Sequence, residues 1–244
     1  MYRNYIKDEK LIKKLEELHE KKYRLKELLD KQSEVTPFVV ELAGMARTGK
    51  TVSTEKIFEF FKMANFKVLR TKEPAQILKE HYDVTKLNNI EFNDKTLEIS
   101  KSQLINLLSK NPDIILQDRG VFDNYIWYQM MYERGEISKD VYIEKMRDIK
   151  SSIDLNDELY LMTADPEVIV QRDYSDQIFL ESRKKTTIEG VTMLRNGMEH
   201  LVETIDSNKV FKLDTSNITE VDTAIIISNN IIDDMTKKLK LKNM

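Results

Sequence analysis

The sequence contains no cysteine. That absence excludes a disulfide framework, a thiolate nucleophile and any cysteine-based zinc site. Histidine is nearly as scarce: His19, His81 and His200 are the only three, far apart in the chain and without metal-ligand spacing, so no histidine-built metal centre is expected. Long hydrophobic runs are missing as well. Stretches such as Ala224 to Ile227 fall far short of what a bilayer requires. The amino terminus is charged from Arg3 onward and lacks an apolar stretch of the secretory type, which leads us to expect a cytoplasmic chain with no membrane partner. Neither sign of charge dominates, since 39 Lys and Arg face 42 Asp and Glu for a net charge of −3. Without a global basic field, a nucleic-acid partner is disfavoured.

What is present suits one α/β domain with a small appendage. The 244 residues are 41% hydrophobic and 33% charged, enough apolar material for a sizeable core beneath well-solvated helices. Residues 1–33 are rich in Lys and Glu, and Leu11, Leu18 and Leu25 recur every seven positions with Leu15, Leu28 and Leu29 beside them. This pattern predicts an amphipathic helical extension with a narrow apolar seam. Three heptads are too few for a coiled coil, so packing on its own domain is preferred over a homodimer or partner helix.

From residue 34 to 244 the texture alternates. Strands are predicted at 38–43, 67–71, 113–117, 158–162 and 209–213. Helices are predicted at 51–63, through a mostly helical stretch over 75–110, and at 122–134, 138–153, 166–172, 187–206 and 218–239. Strands separated by helices imply an α/β fold of three layers, a five-stranded parallel sheet with helices on both faces.

The first strand runs straight into a glycine loop. Gly44-Met45-Ala46-Arg47-Thr48-Gly49-Lys50-Thr51 satisfies G-x-x-x-x-G-K-[ST], placed after an apolar strand and before a helix. Its glycines let successive backbone N–H groups turn inward toward phosphate oxygens, and the following helix adds its dipole. Residues 44–52, from Gly44 to Val52, are therefore expected to hold the triphosphate of a nucleotide such as ATP. Lys50 would neutralise the β- and γ-phosphates, and the Thr51 hydroxyl would ligate Mg²⁺. This is a P-loop NTPase signature, which alone does not separate kinases from GTPases or motor ATPases. A guanine-reading N-K-x-D is absent, because the only Asn-Lys pair, Asn208-Lys209, continues into Val210-Phe211. The strand ending Ile114-Ile115-Leu116-Gln117 leads into Asp118-Arg119-Gly120 rather than the Asp-Glu of a motor. An arginine there suits an anionic or hydroxylated acceptor and favours transfer over hydrolysis.

On these motifs the chain resembles the thymidylate kinase and deoxynucleoside kinase superfamily over about residues 37–240. After the P-loop come Thr71-Lys72-Glu73-Pro74, similar to that family's T-R-E-P or E-P, then Asp118-Arg119-Gly120 through Tyr128, then Thr163-Ala164-Asp165-Pro166-Glu167-Val168 through Arg172, and finally 209–214. The resemblance implies a kinase of a nucleoside or nucleotide, using ATP and Mg²⁺ on a small-molecule acceptor; a P-loop kinase of another small hydroxyl substrate and a nucleotide-binding regulator with little catalysis are the alternatives. It implies Glu73 as the base that takes the acceptor's proton, Asp118 as a magnesium partner through water, and Arg119 as a group that holds the acceptor. Arg172, Arg183, Lys184 and Lys185 fall in or around the family's lid, here about 172–187, where cations would stabilise the transferring phosphoryl group. Arg47 stands inside the loop as some thymidylate kinases have it. Tyr125 and Tyr128, at i, i+3 spacing, are candidates to stack on a base. The chain departs from the family in carrying Ala46 where thymidylate kinases are acidic, and Ala43 where deoxynucleoside kinases have Glu, with Glu41 two places earlier.

Overall fold

The computed structural model describes residues 9–177, 187–204 and 209–242. Five strands, β1 (Phe38–Gly44), β2 (Val68–Arg70), β3 (Ile114–Asp118), β4 (Glu158–Thr163) and β5 (Val210–Asp214), form one sheet in the order β2-β3-β1-β4-β5. Every pairing is parallel, with Leu42 opposite Asp118 and Gly44 opposite Met162. All residues of β1, β3 and β4 are buried, as expected of a parallel sheet covered on both faces.

Alternation along the strands decides which layer each side chain joins. Phe38, Val40, Leu42, Tyr160 and Met162 point to one face, where they meet α1 (Glu9–Leu29), α2 (Lys50–Lys62) and α9 (Glu220–Lys242). Ala43, Leu159 and Leu161 point to the other, against α5 (Val121–Glu133), α7 (Pro166–Gln177) and α8 (Ile188–Thr204). On that second face Val39 and Ile115 meet Leu104 and Leu107 of α4 (Asn89–Leu108), and α6 (Lys139–Ile153) closes a further cluster over α5. The predicted helical stretch 75–110 resolves into α3 (Pro74–His81), a single 3₁₀ turn at Val84–Lys86, and α4, whose start carries a capping box between Asn88 and Glu91.

The amino-terminal helix packs on its own domain. Leu18, Leu25 and Leu29 join the cluster that holds β1, α2 and α9, so the extension and the sheet share one core. Lys22 is buried in that seam, its Nζ donating to the Phe60 carbonyl at 2.8 Å over the Phe60 ring; burial lowers its pKa to about 8. Among the described residues no helix is long and apolar enough to cross a membrane.

Candidate active site

The chain turns from β1 into α2 at the carboxyl edge of the sheet, beside β4. There β1 and β4 send their connections toward opposite edges, the kind of crevice in which open α/β sheets bind ligands. Gly44 closes β1 at φ 113°, and a Cβ on it would lie 2.4 Å from the Met162 carbonyl oxygen. Only glycine fits that approach. Gly49, at φ 83°, caps α2, and a Cβ there would meet Glu220 Cγ at 3.3 Å, so the start of α9 abuts the loop. The amides of Lys50, Thr51 and Val52 open α2 and have no acceptor among the described residues, the ordinary condition of a helix start. Met45 turns its side chain into the core while Ala46 is exposed.

Four non-glycine residues among those described take a positive φ. Asn65 and Asn111 belong to a type that tolerates it. The other two, Arg47 at φ 61° and Arg119 at φ 60°, follow β1 and β3 at the same sheet edge. A side chain in this region costs about 1–2 kcal/mol, and strain of this kind concentrates at functional sites.

Lys50 is only 5% exposed and folds back over the loop, its Nζ bonded to the Met45 carbonyl and, at 3.2 Å, to Thr48 Oγ1. Burial pushes its pKa down to about 7; the Arg119 charge acts in the same direction, against Asp123, Asp118 and Glu73. Asp118 ends β3 beside Thr51. Burial raises its pKa, and a hydrogen bond with Thr51 opposes the rise. Its N–H donates to Thr71 Oγ1 at 3.1 Å.

Arg119 is the hub. Its Nε donates to Glu73 Oε1 at 3.0 Å, and its Nη1 donates to Asp123 Oδ1 at 2.7 Å and to the Gly44 carbonyl at 2.9 Å. Asp123 Oδ1 also accepts the Gly44 N–H at 3.0 Å. The two peptides that flank Gly44 are thus both held by one ion pair. Beneath it lies Glu41, fully buried, which accepts the Gly120, Asp123 and Phe122 amides at 2.8, 2.9 and 3.0 Å and so caps α5 from the neighbouring strand. Burial pushes its carboxyl up to about 7 against those bonds. A Cβ at Gly120 would come within 2.8 Å of this carboxyl, which explains the glycine of Asp118-Arg119-Gly120. Glu41→Gln turns an amide NH₂ toward one of these donors and should lower unfolding free energy by about 2 kcal/mol. Urea denaturation checks this, and an unchanged midpoint would show that the carboxylate does not hold the helix.

Arg172 and Arg47, expected as cations for the transferring phosphoryl group, both stand at the loop. Arg172 donates to the Arg47 carbonyl at 3.0 Å and to Thr215 O and Oγ1 at 2.8 and 3.3 Å, fastening the loop to the turn before α9. Arg47 pairs with Asp173 at 3.1 Å. Their guanidinium groups tie α7 to the loop. Arg183, Lys184 and Lys185 lie outside the described residues.

Beside Glu73 and Arg119 opens a cavity of about 450 Å³ between α3, α4 and α5. It is walled by Phe92, Trp127 and Met131 and floored by Asn93, Asn124 and Ser100. Tyr125 and Tyr128 do not line it, which corrects their expected role. Tyr128 is fully buried under α6 with its hydroxyl on Asp94, and Tyr125 faces a separate cavity with Tyr142. The helix they occupy is apolar on nearly all sides, so i, i+3 spacing did not reveal which flank meets the cavity. Sequence reasoning also missed Asp123. Its position one helical turn after Arg119 was the available signal.

The structure therefore brings together the loop Gly44–Val52, Lys50, Thr51, Asp118, Glu73 and Arg119. Among the described residues no group of three or more His, Asp or Glu is arranged to hold a metal. A magnesium ion would instead rest on the Thr51 hydroxyl and Asp118 carboxylate, with water and phosphate completing its shell, which suits an ion that keeps several waters. Compared with known proteins, the chain matches no family model, and no curated protein is significantly similar to it.

Proposed function

We propose that this chain is a P-loop phosphotransferase that moves the γ-phosphoryl group of ATP to a small acceptor of nucleoside size. One observation carries the reading. A glycine loop with a buried lysine adjoins, through a single arginine, a cavity of about 450 Å³ whose lining carries a carboxylate beside that arginine. Hydrolysis needs no such second compartment; transfer does.

In this reading the loop amides and Lys50 bind the β- and γ-phosphates, Lys50 leaving Met45 for the nucleotide. Thr51 and Asp118 would hold Mg²⁺, which supplies charge neutralisation at the phosphates when bound. Glu73 engages Arg119 through Oε1, and its other oxygen receives the proton of an acceptor hydroxyl. That hydroxyl oxygen forms the new bond to γ-phosphorus as the bond to the β,γ-bridging oxygen breaks, and ADP leaves. A nucleoside or its monophosphate matches the cavity in size. Calorimetric titration with Mg-ATP should give saturable heat at one site per chain. No heat with Mg-ATP or Mg-GTP, and no thermal stabilisation by either, would remove the basis of the proposal.

A further inference from the structure

We infer that the acceptor is an uncharged hydroxyl compound and that the cavity rejects phosphate monoesters; this rests on the phosphotransfer reading above. Five charged side chains line the cavity, and three of them are the carboxylates of Glu73, Asp123 and Glu136. The two cations are Arg119 and Arg134, and neither lysine nor histidine contributes. Arg119 has its Nε and Nη1 committed to two of those carboxylates and to the Gly44 carbonyl, which leaves an incoming anion only its Nη2 edge. Arg134 stands 3.9 Å from Glu136.

The floor is polar and neutral. Asn124 Nδ2 donates to Asn93 Oδ1 and to Thr96 Oγ1, both at 2.9 Å, and Ser100 Oγ donates to Asn124 Oδ1 at 3.2 Å. These groups suit a neutral molecule with donors and acceptors of its own. A phosphate monoester would have to lie beside Glu73 and Asp123, in a lining where carboxylates outnumber guanidinium groups three to two, and like charges repel there. An alcohol meets no such barrier, and Glu73 is placed to take its proton.

The test measures transfer from Mg-ATP, with the full chain, to a panel of nucleosides and to the matching 5′-monophosphates. The best nucleoside should exceed its own monophosphate in kcat/KM by about 100-fold or more, as expected when one unneutralised charge decides selection. Asp123→Asn keeps an oxygen for Arg119 and Gly44 while deleting the charge, and should narrow the ratio about tenfold by improving use of the monophosphate. Glu136→Gln should move it the same way by less, and serves if Asp123→Asn fails to fold. Equal or better use of monophosphates by the unaltered chain overturns this inference and leaves the kinase reading standing. Binding of ATP without transfer to either class overturns both.

Discussion

Lys50→Met is expected to weaken Mg-ATP binding by at least about 100-fold, because it removes a charge-assisted contact to phosphate. The same variant should change the pH dependence of the empty protein. A buried ammonium whose pKa has fallen to about 7 is costly wherever it remains protonated. The unfolded chain keeps that lysine charged up to its ordinary value of 10.5. Between about pH 7 and 10.5 the unfolded state thus binds more protons than the native state, and native stability rises with pH. Below about pH 7 the cost is present in full, at most on the order of 5 kcal/mol; above the unfolded pKa it is gone. Met carries no such charge. The melting temperature of the original chain should therefore gain on that of Lys50→Met as pH is raised from 6.5 to 9.5. Lys22, Glu41 and Glu158 also have displaced pKa values, so the difference between the two curves, not either curve alone, reports on Lys50. Parallel curves would mean that its ammonium is not held out of water.

Glu73→Gln should reduce kcat by about 10²- to 10⁴-fold, the range over which a positioned base contributes. The amide oxygen can still accept from Arg119 Nε, so the hub and the loop stay in place and Mg-ATP affinity should change by less than about threefold. This separation of kcat from binding distinguishes a base from a structural partner. If Glu73→Gln lost ATP binding along with turnover, the carboxylate would be holding the loop through Arg119, and the proton would need another acceptor.

The sheet was legible because its strands are short apolar runs bounded by glycine, proline or charge, and each falls within a residue or two of its predicted span. The loop was legible because glycine spacing is itself the geometry: the φ values of Gly44 and Gly49 follow from having no Cβ. The links between elements were harder to read. Glu41 stands out in the sequence only for its place two residues before Ala43, since nothing local says that its oxygens will meet three amides some 80 residues onward. Arg172 read as a lid cation, yet its partners include backbone carbonyls 43 and 125 residues away, and a backbone carbonyl leaves no mark in a sequence. In α5, packed between α4, α6, α8 and the sheet, apolar periodicity has no solvent face to report. Tyr125 and Tyr128 consequently stand out by spacing alone, while Trp127 of the same helix is the aromatic residue that lines the cavity.

Gly44, gripped at its amide by Asp123 and at its carbonyl by Arg119, links the loop to the cavity through the two peptides that flank it. A molecule that draws the guanidinium toward Glu73 would tug on the glycine turn, and a nucleotide bound there, as proposed, would shift the guanidinium in return. Linkage requires the influence to be equal in both directions. If the proposed reading holds, the arrival of a second ligand would be sensed without any long-range rearrangement, through a displacement confined to the two peptide planes that meet at Gly44.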